Sequence, residues 1–335
     1  MYELLGICLV LASLLTINAI ASSVAAACSP LLRRALQGRT ARTRAEILFG
    51  FRFGPTALAL FSVTLFLVPS YLGYEPYKTS EIVSKKLAAL AVLSAIGITL
   101  ALLRAWSSWR ATRALLREWL SGAVQIELSG TSIPTFRITN SFPIIAVVGI
   151  FRPRLFIAAQ VLETLSGEEL RAAIAHEGGH LAGHDNFKRA LLRAGRDALM
   201  IAPCGRTLDR AWAEAAECAA DEYAAQQSPE IALNLASALV KIAKMVPVRA
   251  RATVPLAAFL VGFEETHGVK ARVRRLLEIA SHGSSRVRLR NSQVGRILPA
   301  STLCGLVLFA VGVANSPHVL VSVHLVIERA VKLLS

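Results

Sequence analysis

The sequence predicts a multi-pass α-helical membrane protein with a cytoplasmic α+β domain inserted before its last membrane helix. Three observations predict it. Of the 335 residues, 54% are hydrophobic, yet the formal charge is +15. Mean hydropathy is +0.52. Apolar residues gather into four long uncharged runs, and arginines collect in blocks beside them, as in membrane proteins.

A bilayer crossing needs about 20 apolar residues. Residues 4–32 and 53–74 carry no charge, and 87–103 is a shorter run between Lys86 and Arg104. A fourth run covers 297–314, and the uncharged stretch continues to Ile327. Ala25-Ala-Ala-Cys28 looks like a cleavage or lipidation site, but Met1-Tyr2-Glu3 offers no basic n-region. The run is also longer than a signal h-region, so it reads as a retained span.

Orientation follows from where arginine collects. Blocks at Arg33–Arg52, Arg104–Arg117 and Arg286–Arg296 follow the first run, follow the third and precede the fourth. The loop at 74–86 offers only Lys78, Lys85 and Lys86, set against Glu75 and Glu81. This places the N-terminus outside the cell membrane and the long insert in the cytoplasm. The expected division is a membrane domain at 1–104, a cytoplasmic domain at 105–296, and a final span with a short tail at 297–335. Direct nucleic-acid binding is not expected, because the arginine blocks lack interleaved aromatics or a recognisable module. The five cysteines are scattered singly with no C-x-x-C, so no thiolate zinc site or disulfide framework is implied.

Inside the insert, residues 124–128 and 135–138 alternate weakly, as short strands do. Residues 144–150 and 155–158 are apolar runs flanked by Pro143 and Pro153, consistent with two more strands. From Ser166 the period becomes helical. Ser166-Gly-Glu-Glu169 has the spacing of a capping box.

The helix opened there contains His176-Glu177-Gly178-Gly179-His180, an H-E-x-x-H. Residues four apart share a helix face, so both imidazoles can reach one ion, and Glu177 can polarise water beside it. Two glycines in mid-helix each cost about 1 kcal/mol relative to alanine, which implies close approach by another element or a substrate.

A catalytic zinc takes three protein ligands and keeps one position open. The best third ligand is Glu217 in Glu217-Cys-Ala-Ala-Asp221, inside a helical stretch at 212–226. Asp221 shares its face and can accept a hydrogen bond from a ligand imidazole. His184 is the rival, four beyond His180. Three histidines at i, i+4 and i+8 on a straight helix span about 12 Å, too far for one ion with bonds near 2 Å. His184 therefore reads as a supporting or surface group, and the remaining histidines as structural or solvated.

With these motifs placed, residues 143–221 resemble the BlaR/MecR-type antirepressor membrane peptidases, and more distantly the HtpX-type and CAAX-processing peptidases. The likeness rests on Phe151-Arg-Pro-Arg-Leu-Phe-Ile157, on Leu165 through Glu177, on His184-Asp-Asn186 and on Glu217-Cys-Ala-Ala-Asp221. The run from Val269 to Leu277 also fits. The resemblance implies a gluzincin-type metallopeptidase domain binding Zn2+ through His176, His180 and Glu217. Glu177 is then the catalytic general base, and Asp221 supports the ligands. Antirepressor members end in a large penicillin-binding sensor domain. About 20 residues follow the last expected span here, and no S-x-x-K acylation motif occurs, so no such sensor is expected.

The expected activity is zinc-dependent peptide-bond hydrolysis in regulatory proteolysis of a cytoplasmic or membrane protein, such as a transcriptional repressor. Partners are then the lipid bilayer and a protein substrate. Alternatives are HtpX-like quality control of membrane proteins and a non-catalytic membrane transducer. Tyr223 and nearby arginines are candidates to stabilise an oxyanion, and an exposed strand at 155–158 is expected to pair with substrate backbone.

Overall fold

The first apolar run lies within α1 (Tyr2–Ala35), a single 34-residue helix. The second forms α2 (Ala41–Ser62), a π-helical turn (Val63–Leu67) and α3 (Val68–Tyr74) in close succession. The widened turn sits just ahead of Pro69, whose ring has no N–H to continue the ladder. The third run opens α4 (Lys85–Ser121). The computed structural model describes residues 2–76, 83–128, 130–198, 205–246, 266–282, 311–313 and 316–334. Among these, three helical stretches are long and apolar enough to cross a membrane: Tyr2–Leu32, Ala41–Tyr74 and Lys85–Ser121. The fourth expected span, 297–314, lies outside the described residues except at 311–313.

α4 has 37 residues. At about 1.5 Å per residue it is about 55 Å long, against about 30 Å of bilayer hydrocarbon. Its last turns enter the core of the insert: Leu115, Leu116 and Leu120 pack there, and Trp119 meets Phe156 edge-on at 5.2 Å. The expected boundary at 104/105 thus falls inside an uninterrupted helix. The foot of the α1–α2 hairpin also joins the insert. Leu36, Ala45 and Leu48 form one apolar cluster with Leu192, Leu208 and Trp212.

The sheet has four strands in the order β1-β2-β4-β3. β1 (Val124–Ile126) runs antiparallel to β2 (Thr135–Ile138), which pairs parallel with β4 (Arg154–Ala158). β3 (Ile145–Val148) pairs antiparallel with β4. All four lie where alternation and flanking prolines put them. One expectation fails here. The strand at 155–158 is not an exposed edge, because β2 and β3 take both its sides. The edge beside the site is β3.

Helix α5 (Ala159–Thr164) leads into α6 (Gly167–Gly183), followed by α7 (Asp185–Ala198), α8 (Gly205–Ala225), α9 (Pro229–Met245) and α10 (Thr266–His282). A further helix, α11 (Pro317–Leu334), packs Ile327 and Val331 against Leu5 and Tyr71. α6 begins with the capping box read from the sequence. Ser166 Oγ accepts from the Glu169 amide, and Glu169 accepts from the Ser166 amide. Glu169 also receives Ser237 and Lys241 from α9 at 2.6 and 2.8 Å, so the cap is bonded to a second helix.

α6 crosses α8 on a face of small residues, where Ala216, Ala219 and Ala220 are buried. The crossing explains one of the two mid-helix glycines. A Cβ on Gly179 would lie 2.7 Å from the Ala220 Cα, whereas one on Gly178 would meet only Tyr223, at 3.7 Å. Gly179→Ala should therefore destabilise the protein by about 1–3 kcal/mol through overpacking. Gly178→Ala should be near neutral or mildly stabilising. Thermal unfolding of the two variants checks this, and equal behaviour would contradict the crossing geometry.

Candidate metal centre

His176 and His180 project from one face of α6, and both are buried. Glu217 comes from α8, carried there by the Gly179–Ala220 crossing. Its Oε2 lies 3.6 Å from His176 Nε2, and its Oε1 lies 3.5 Å from His180 Nε2. One donor atom from each of the three residues falls within 4.8 Å of the others. Ligands at about 2.1 Å in a tetrahedron stand about 3.4 Å apart, so the carboxylate-to-imidazole separations suit a single zinc-sized cation. Both Nε2 atoms are buried without a hydrogen-bond partner. Buried polar atoms seldom stay unpaired, and two of them facing one carboxylate match a cation site. The donor set therefore fits zinc.

Each imidazole is oriented from behind. His176 Nδ1 lies 2.9 Å from Asp221 Oδ1, and His180 Nδ1 lies 2.7 Å from Asp185 Oδ2. A carboxylate at Nδ1 fixes the tautomer that leaves Nε2 for a metal. Asp221 stands where the E-x-x-x-D spacing put it. Asp185 escaped the sequence reading because it is five residues from His180, off helical spacing. It returns through His184, which takes the left-handed conformation (φ 51°) and caps α6. That turn also settles His184: the helix stops at Gly183, and the exposed side chain leaves the histidine face. A Cβ on Gly183 would lie 2.5 Å from Asp185 Oδ1 and 2.7 Å from an Arg42 nitrogen, so a larger residue there would displace the carboxylate that orients His180.

Arg272 of α10 was also missed. Its Nε and Nη2 donate to both Asp221 oxygens at 2.8 and 2.7 Å, and its Nη1 lies 3.0 Å from Glu217 Oε2. The guanidinium thus spans the two carboxylates of the E-x-x-x-D. The run Val269–Leu277 fits the family pattern in sequence, but local spacing gives its arginines no role. Glu177 is buried beside the metal-facing atoms. The Val147 amide of β3 donates to its Oε2 at 3.1 Å, while Oε1 has no partner. Asn186 donates to the Val147 and Gly149 carbonyls, so the β3 edge is held from both sides. Tyr223 is 41% exposed and lies against Gly178.

The electrostatics favour a cation. Four carboxylates (Glu177, Asp185, Glu217, Asp221) surround two imidazoles, with Arg272 as the opposing fixed charge. Burial pushes Glu177 above the usual carboxylate range, against the pull of the histidines. Burial also pushes Glu217 up, but His180 and Arg272 outweigh it and hold the group at about 2. Asp221 lies well below its usual range, because the Arg272 charge and hydrogen bonds overcome its burial. For His176 burial works downward, yet bonding to Asp221 and Glu217 raises it to about 9. Without a metal, the site takes up a proton instead.

Residues 146–280 match the family model for Peptidase family M48. The match runs from β3 into α10 and takes in every group of the centre, from Val147 to Arg272. It supports the M48 metallopeptidase family and implies zinc-dependent proteolysis, and the three apolar helices suggest association with a membrane. No curated protein matches the chain.

Zinc binding must displace the His176 proton. Apparent zinc affinity should rise about tenfold per pH unit from pH 7 until pH approaches 9. The metal-free protein should behave in the opposite sense. A raised folded pKa contributes stability that is full below 6.5 and is lost as pH climbs through about 9. Chelator competition and thermal melts at stepped pH check both, and a flat affinity profile would contradict the assigned protonation.

Proposed function

From the M48 match, we propose that this chain is a membrane-embedded zinc endopeptidase of the BlaR/MecR type. It performs regulatory proteolysis of a cytoplasmic or membrane protein such as a transcriptional repressor. The observation that carries the reading is the convergence of His176, His180 and Glu217 around one point, with Glu177 alongside. A site for structural zinc alone has no use for a buried carboxylate with a free oxygen at that point, and this argues against a non-catalytic transducer.

A zinc ion held by the three donors supplies Lewis-acid polarisation of a carbonyl and lowers the pKa of water to about 7. The protein supplies the rest. Val147 holds Glu177 by Oε2, which leaves Oε1 to take a proton from the attacking water and return it to the leaving amine. Burial strengthens Glu177 as a base. Asp221 and Asp185 keep both imidazoles turned with Nε2 inward, and Arg272 keeps Glu217 from rotating away. Tyr223 remains a candidate to stabilise the oxyanion, in reach of the active helix at Gly178.

The arginine blocks support a topology with the catalytic insert in the cytoplasm and the N-terminus outside. They also favour a fourth span at 297–314 and the expected membrane, catalytic and terminal segments. The insert is then built onto the membrane domain by α4 and the α1–α2 hairpin rather than hung from a linker. That continuity suits an enzyme whose activity answers to its membrane helices.

Purified full-length protein in detergent tests the reading, with casein as a generic substrate. Wild type should bind zinc and cleave. Glu177→Gln should keep zinc and lose about 10²- to 10⁴-fold in turnover, as expected for removal of a general base. Glu217→Ala should lose both. Undiminished cleavage by Glu177→Gln would sink the assignment. Cleavage of one dominant soluble protein in cells would favour regulation, and a broad appetite for unfolded membrane proteins would favour quality control.

A further inference from the structure

The carboxylates of the metal centre are anchored beyond the helices that carry its histidines. Arg272, which spans Glu217 and Asp221, lies three residues before Arg275 on α10, so the two guanidinium groups share a face. Arg275 pairs with Glu222 Oε1. Glu222 Oε2 accepts a hydrogen bond from the backbone N–H of Ala41 at 3.1 Å. Ala41 is the first residue of α2 and is completely buried. One carboxylate therefore joins the amino end of a membrane-type helix to the helix that bears Arg272.

The junction is chemically matched. A helix amino end presents unpaired amides and the positive end of its dipole. The first turn of α2 contains no acid of its own, so Glu222 fills that role from α8. The next residue, Arg42, donates to the Ala182 carbonyl in the last turn of α6 at 3.3 Å. It also pairs with Glu46, which Lys188 of α7 meets at 2.6 Å. The same end of α2 thus touches α6 and α8, the two helices that supply the metal ligands.

We propose that Glu222 is a positioning residue for the metal centre: it locks the amino end of α2 to Arg275 and thereby sets where Arg272 holds Glu217 and Asp221. The inference rests on the zinc-site reading given above. It makes α2 a part of the active-site scaffold, so that a displacement of this helix reaches the ligand carboxylate through Glu222, α10 and Arg272.

The test uses full-length protein in detergent and compares wild type, Glu222→Gln, Arg275→Gln and the double variant, with Glu230→Gln as an exposed control. Zinc affinity is read by chelator competition, and ligand geometry by the visible absorption of the Co2+-substituted protein. Zinc affinity should fall several-fold to about tenfold in each single variant, with an altered cobalt spectrum. The double variant should be no worse than either single one, because both remove the same connection. Glu230→Gln should match wild type. Wild-type zinc affinity and an unchanged cobalt spectrum in Glu222→Gln would overturn the proposal, even if its melting temperature falls. Should Glu222→Gln fail to fold, Arg275→Gln carries the same two readouts. Absence of zinc from wild type would instead sink the metal-site reading, a failure distinct from a normal site in Glu222→Gln.

Discussion

The close crossing of α6 over α8 is the constraint on which the rest depends. Gly179 has no side chain, and so Ala220 can approach its backbone. His176 and Glu217 stand three residues before that contact on their two helices, and His180 and Asp221 stand one residue after it. A residue larger than glycine at this contact would force the two helices apart, and with them the histidines and Glu217. The alanine face of α8 serves the same end, since bulkier side chains there would lift Glu217 away from the imidazoles.

Around that crossing the protein gathers charge that it could not hold unaided. Isolated carboxylates in a dry interior are costly, and such groups persist when paired or metal-bound. Arg272 neutralises part of the excess by bonding Asp221 and Glu217 together. His176 absorbs more, because its bonds to Asp221 and Glu217 outweigh its burial and make it a stronger base in the metal-free protein. A divalent cation held by His176, His180 and Glu217 would complete the balance. The same network reaches outward through Glu222 to the amino end of α2, so the electrostatics of the centre are continuous with the attachment of a membrane-type helix.

Local spacing made the centre of the site legible before any coordinates. H-E-x-x-H and E-x-x-x-D each rest on the four-residue repeat of a single helix, and the capping box at Ser166 rests on a three-residue one. Such patterns survive translation into structure because no other part of the chain is needed to form them. The pieces that escaped depend on tertiary geometry. Asp185 reaches His180 only because His184 turns left-handed, Arg272 arrives from another helix 51 residues beyond Asp221, and the Val147 amide shows no side chain to read. The substrate-pairing strand was misplaced for a related reason: strand order is set by long-range pairing, and periodicity identifies strands without saying which lies at the edge. Hydropathy likewise found where α4 begins in apolar surroundings. It gave no sign that the same helix continues to Trp119 in the core of the insert.

Zinc K-edge X-ray absorption on the purified full-length protein tests the central claim most directly. The account predicts a first shell of nitrogen and oxygen alone at about 2.0–2.1 Å, with the outer-shell scattering of two imidazole rings and no sulfur. A sulfur shell near 2.3 Å, or one imidazole rather than two, would contradict it.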